Sequence, residues 1–108
     1  MRVIDRKTFY EIALEVVKRS CTRIAPDAIT LLRSAYENEK NPAAKRLLEA
    51  MIRNAELAVE EDKPVCQSPG YPVIYINFND DIRIEADIQK IFQKAIVELT
   101  KQGYLRPS

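Results

Sequence analysis

Apolar side chains recur along this chain in three-then-four steps interrupted by turn-forming residues, a pattern that predicts helices. Asp5 caps a first helix running from about Arg6 to about Thr22, with Phe9, Ile12, Ala13, Val16 and Val17 on one apolar face. Pro26 suits the first turn of a second helix, where its missing N–H would have no partner. Ala28, Leu31, Leu32 and Ala35 supply the buried stripe of that helix, which ends near Glu39. Asn41 then Pro42 starts a third helix with a capping side chain and a preset backbone angle, and Ala44, Leu47, Leu48, Met51, Ile52, Ala55 and Val59 follow in phase. Its stripe is rich in alanine, so close packing is expected around Ala55 and Ala58.

From Asp62 to Pro72 the pattern changes. Pro64, Pro69, Gly70 and Pro72 exclude a helix, and this stretch forms a loop that carries Cys66. Val73-Ile74-Tyr75-Ile76-Asn77-Phe78 is β-branched and aromatic and predicts a short strand. Asn79-Asp80-Asp81 marks a turn, after which Ile84, Ile88, Ile91, Phe92, Ala95, Ile96 and Leu99 predict a fourth helix closed by Gly103 in a left-handed cap. The fold class is therefore α+β and predominantly helical: three helices, a cysteine loop, a strand and a helix. The chain then turns into Tyr104-Leu105-Arg106-Pro107-Ser108, an X-Pro step with no terminating element of its own, as expected for a truncated chain.

Composition narrows the function classes. The 108 residues carry 17 basic and 16 acidic side chains, a net charge of +1, so no field draws the chain to nucleic acid or an anionic membrane. The amphipathic N-terminus holds neither a signal peptide nor a membrane span, making the cytoplasm the expected compartment. Two cysteines, Cys21 and Cys66, are too few for a disulfide framework and too far apart for a compact metal motif. With no histidine, the commonest general base and metal ligand is missing, which argues against a self-contained enzyme.

Cys66 is the residue best placed for chemistry. Flanking prolines restrict its backbone, as a cluster ligand requires, because iron binds thiolate at a set distance and angle. Taken alone, the same cysteine also fits a small hydrophobe in the core beside the strand. Its neighbours shift the balance. Pro64-Val65-Cys66-Gln67-Ser68-Pro69-Gly70 resembles the Pro-Ile-Cys-Gln-Asp-Thr-Gly segment of the class I iron-sulfur fumarase and tartrate dehydratase alpha-chain family. Asn54-Ala55-Glu56-Leu57-Ala58 is similar to that family's Asn-Ala-x-x-Ala run, and Ala35-Tyr36-Glu37-Asn38-Glu39 to its Ala-Tyr-x-x-Glu. Tyr104-Leu105-Arg106 resembles its Leu-Arg segment. Four landmarks in order cover most of the chain.

The resemblance implies a hydro-lyase that reversibly dehydrates a hydroxy-dicarboxylic acid on a 4Fe-4S iron-sulfur cluster held by three cysteines. Cys66 matches the first of the three. Gln67 and Arg106 match substrate-binding positions, the guanidinium fork being suited to a carboxylate. Without the resemblance, Gln67 is equally a loop residue bonding local backbone, and Arg106 a solvated arginine. Ser68 replaces the family aspartate and removes a carboxylate. Cys21, in helical phase with Val17, is expected to pack rather than ligate. The implied partners are the remainder of the alpha domain and a beta subunit or C-terminal domain, in a homo- or hetero-oligomer. The alternatives are a non-catalytic helical interaction domain or a degenerate fragment, with Cys66 in the core.

Overall fold

A computed structural model describes residues 1–67 and 71–107. The element order is β1 (Arg2–Ile4), α1 (Arg6–Thr22), α2 (Pro26–Asn38), α3 (Pro42–Glu61), β2 (Ile82–Ile84) and α4 (Ile88–Lys101). All four expected helices form, and the α+β, predominantly helical class stands. Two compact units divide the chain, Met1–Arg19 with Gln67–Ser108, and Ser20–Cys66.

In the first unit, Asp5 caps α1 as its sequence position predicts: the Thr8 N–H donates to Asp5 Oδ1 at 2.8 Å. Phe9, Ala13 and Val17 of α1 and Ile91, Phe92, Ala95 and Leu99 of α4 form the buried apolar set. The Phe9 and Phe92 rings meet edge to face, centroids 5.7 Å apart at 88°. Ile12 and Val16, expected on the same buried stripe, are instead about half exposed, because the apolar contact is narrower than the sequence stripe. Beside that core, Lys94 Nζ lies 4.9 Å from the centroid of the Tyr10 ring.

The Thr8 hydrogen bond holds the Asp5 carboxyl below the usual carboxylate range. A depressed folded-state value means that the cap's contribution is complete at neutral pH and is lost as pH falls through that value. Asp5→Asn keeps the oxygen acceptor without the charge. Thermal unfolding followed from neutral pH into acid should show a steeper loss of stability for wild type than for Asp5→Asn, and parallel curves would contradict the assignment.

The strand expected at residues 73–78 does not form a ladder among the described residues. Instead β1 pairs with β2 in parallel, Arg2 opposite Ile82, Val3 opposite Arg83 and Ile4 opposite Ile84. Flanking bonds from Arg2 N–H to the Asp81 carbonyl (2.7 Å) and from Glu85 N–H to the Ile4 carbonyl (2.9 Å) extend the pairing. Ile84, expected in the apolar stripe of the fourth helix, therefore belongs to a strand, and Asp87 caps α4 by accepting from the Lys90 N–H at 3.2 Å. Ile74 and Ile76 line a groove of about 410 Å³ with Ile88, Phe92 and Ile96 of α4, so the β-prone run lies along a helix.

At its far end α4 closes with Gly103 at φ +89°, Tyr104 N–H donating to the Leu99 carbonyl (3.0 Å) and Gly103 N–H to the Thr100 carbonyl (3.1 Å). This is a Schellman closure, in which the left-handed position suits a residue without Cβ.

In the Ser20–Cys66 unit, Asn41 accepts from the Ala43 and Ala44 N–H groups at 2.9 and 3.3 Å, with Pro42 in the first turn of α3. Asn41→Ala should cost about 1 kcal/mol, readable by denaturant unfolding. Arg33 of α2 meets Glu56 of α3 at 3.4 Å, and Lys45 Nζ lies 4.6 Å from the Tyr36 ring centroid. Ala55 and Ala58 are buried, as the alanine-rich stripe predicts. The expected buried stripe of α2 is not observed: no α2 residue is fully buried and Leu31 is 69% exposed. The helix touches its neighbour through polar and half-buried groups. Asp62 ends α3 at φ 54° and ψ 53°, a left-handed turn that sends the chain into the cysteine loop. Among the described residues, no helix is long and apolar enough to cross a membrane.

Candidate functional site

The loop after α3 reaches Cys66 through a residue held at both of its backbone groups. Val65 donates its N–H to the Cys21 carbonyl at the end of α1, 2.8 Å away, and its own carbonyl accepts from Asn54 Nδ2 of α3 at 2.9 Å. Lys63 N–H donates to the Ala58 carbonyl at 2.9 Å, which completes the α3 terminus before the loop departs. Cys66 itself is exposed. The alternative that places Cys66 in the core does not match this exposure. Cys21 is half-buried in α1, and its backbone carbonyl accepts from the Val65 N–H of the loop.

Gln67 and Arg106 both belong to the other unit. The Gln67 side-chain amide donates to the carbonyl of Gly103, the left-handed residue three places before Arg106. The partner is 36 residues away rather than in the loop itself, and the bond brings Gln67 to the turn that leads into Arg106. The bond uses one of two amide protons and leaves the side-chain oxygen as an acceptor. Arg106 is exposed. Lys18 Nζ sits 5.2 Å from the centroid of the Tyr104 ring, which adds a second cation to that turn. Sequence reasoning missed Lys18 because the pairing spans most of the chain. Ser68 lies outside the described residues, as do Pro69 and Gly70.

A family model described as "Fumarate hydratase (Fumerase)" matches residues 10–108. The chain belongs to the fumarate hydratase family. Among curated relatives it is 26% identical over 101 residues to the "Putative L(+)-tartrate dehydratase subunit alpha" of Methanocaldococcus jannaschii, covering 91% of this chain and 35% of the relative. It is 28% identical over 100 residues to the "Putative fumarate hydratase class I" of Geobacillus stearothermophilus, covering 92% of this chain and 19% of that one. The "L(+)-tartrate dehydratase subunit alpha" of Escherichia coli K12 is 23% identical over 96 residues, 89% of this chain and 32% of the relative. This fumarate hydratase family chain spans about a third of the length of the alpha subunits and about a fifth of the class I enzyme it matches.

The iron-sulfur cluster that the sequence resemblance implies needs several thiolate donors. Among the described residues no cluster of three or more His, Cys, Asp or Glu side chains is placed to hold a metal ion. With one exposed cysteine and one half-buried in a helix, these residues fit one corner of a cluster, not a whole one.

Proposed function

We propose that this chain supplies one corner of the active site of an iron-sulfur hydro-lyase that reversibly dehydrates a hydroxy-dicarboxylic acid. The family match across residues 10–108, with Cys66 exposed on a loop held by Val65, carries the reading. Cys66 holds one iron of a 4Fe-4S cluster whose other thiolates come from the remainder of the alpha domain. When bound, the cluster supplies a Lewis acid for the leaving hydroxyl. Arg106 binds a substrate carboxylate with two parallel N–H bonds, and Lys18 adds positive potential to the same turn. Gln67, fixed through Gly103, offers its remaining amide proton and oxygen to the substrate. The working protein includes a beta subunit or C-terminal domain and operates in the reducing cytoplasm.

The test is anaerobic reconstitution of the complete protein with iron and sulfide, followed by hydration of fumarate and dehydration of tartrate. A visible cluster absorption with turnover of one substrate supports the reading, and a colourless, inactive protein contradicts it. In the active enzyme, Arg106→Lys should raise KM about tenfold by removing one of the two carboxylate bonds. An unchanged KM would place Arg106 outside the site.

A further inference from the structure

Both backbone groups of the residue before Cys66 are tied to helices, and one tie is a side chain. The carbonyl of Val65 and the N–H of Cys66 share one planar peptide unit, which also includes the Cα of Cys66. Fixing that carbonyl fixes the plane from which the Cys66 side chain departs. Asn54 Nδ2 donates to it at 2.9 Å, while Val65 N–H is held by the Cys21 carbonyl at 2.8 Å. The two anchors act on consecutive peptide planes and come from different helices, α3 and α1. Rotation about the Val65 backbone is therefore restrained at both ends, leaving the Cys66 thiol its own torsions.

We infer that Asn54 is a positioning residue: its amide, set on α3, orients the Val65–Cys66 peptide and so aims the thiolate that ligates iron. The inference rests on the reading of Cys66 as a cluster ligand and adds a role to a residue with no thiol, carboxylate or imidazole. The chemistry needs a donor of this length. Aspartate has the same shape but, ionised, presents only acceptors to a carbonyl, and so repels it. Glutamine keeps the donor on a longer, more flexible arm. Asn54 is exposed, so removing its bond leaves the Val65 carbonyl to water and the core of the unit untouched. Groups that support a metal ligand from behind typically change metal affinity by about 10–100-fold when lost.

Two measurements separate this role from a structural one and from the ligand assignment itself. In the isolated chain, the Cys66 Cα and Cβ resonances should shift in Asn54→Asp and return toward wild type in Asn54→Gln, at unchanged unfolding temperature. In the reconstituted complete protein, iron loss to a chelator should be about tenfold faster in Asn54→Asp than in wild type, with partial rescue in Asn54→Gln. Cys66 resonances that ignore Asn54→Asp, or equal iron-loss rates, would overturn the positioning role while leaving Cys66 a ligand. If wild type takes up no cluster, both the ligand assignment and Asn54's role toward iron are overturned. A change in the Cys66 resonances would then establish only a local orienting bond.

Discussion

Cys66→Ser should abolish cluster assembly in the complete protein, and Cys21→Ser should leave it intact. The contrast follows from placement. Cys66 is exposed at the end of a loop whose preceding residue is bonded on both sides, so a thiolate there meets iron without disturbing a core. Cys21 is half-buried in the last turn of α1 and contributes its carbonyl to the Val65 N–H, a bond that serine at position 21 preserves. Serine retains the size of cysteine but not the soft thiolate that iron-sulfur clusters select. Iron and acid-labile sulfide per polypeptide, with the visible absorption, should be lost in the first variant and retained in the second. Equal iron content in both would remove Cys66 from the site.

Phe92→Ala should be the most damaging single substitution for stability. The ring is buried, stacks edge to face on Phe9 and lines a groove together with Ile74 and Ile76, so its removal opens a cavity between α1 and α4. Truncations of this kind cost about 3–5 kcal/mol. Domains of this size have about 5–15 kcal/mol in total. The unfolding temperature should therefore fall by more than about 10 °C. Phe78, 53% exposed, is the control, and its truncation to alanine should change little. Comparable losses at the two positions would show that the apolar set around Phe9 and Phe92 is not the core of its unit.

What the sequence made legible is what local chemistry decides. Asp5, Asn41 with Pro42, and Gly103 each mark a helix end through their own side chain or backbone freedom, and the observed helices begin and end where those residues place them. The strand was misplaced for a non-local reason. Val73 to Phe78 has the composition of a strand, but a ladder also needs a partner, and the short pairing of Arg2–Ile4 with Ile82–Ile84 joins residues some eighty positions apart. Helical periodicity likewise marked more apolar positions than one contact can bury: Phe9, Ala13 and Val17 are inside, whereas Ile12, Val16, Leu31 and Leu47 are not.

At the candidate site, Cys66, Gln67 and Arg106 came from the motif, and their surroundings did not. Asn54 stood in the sequence only as a landmark in an Asn-Ala-x-x-Ala run, and its bond to Val65 crosses eleven residues of chain. The turn linking Gln67 to Gly103 was equally hidden, because a glutamine in a loop has no fixed partner until the end of α4 arrives beside it.

The central claim, that Cys66 ligates iron, is tested most directly by alkylating the reconstituted complete protein under anaerobic conditions and locating the label by mass spectrometry. The account predicts that Cys66 is protected while the cluster is present and becomes labelled after chelation, with Cys21 labelled equally in both states. Labelling of Cys66 at the same rate before and after chelation would contradict it.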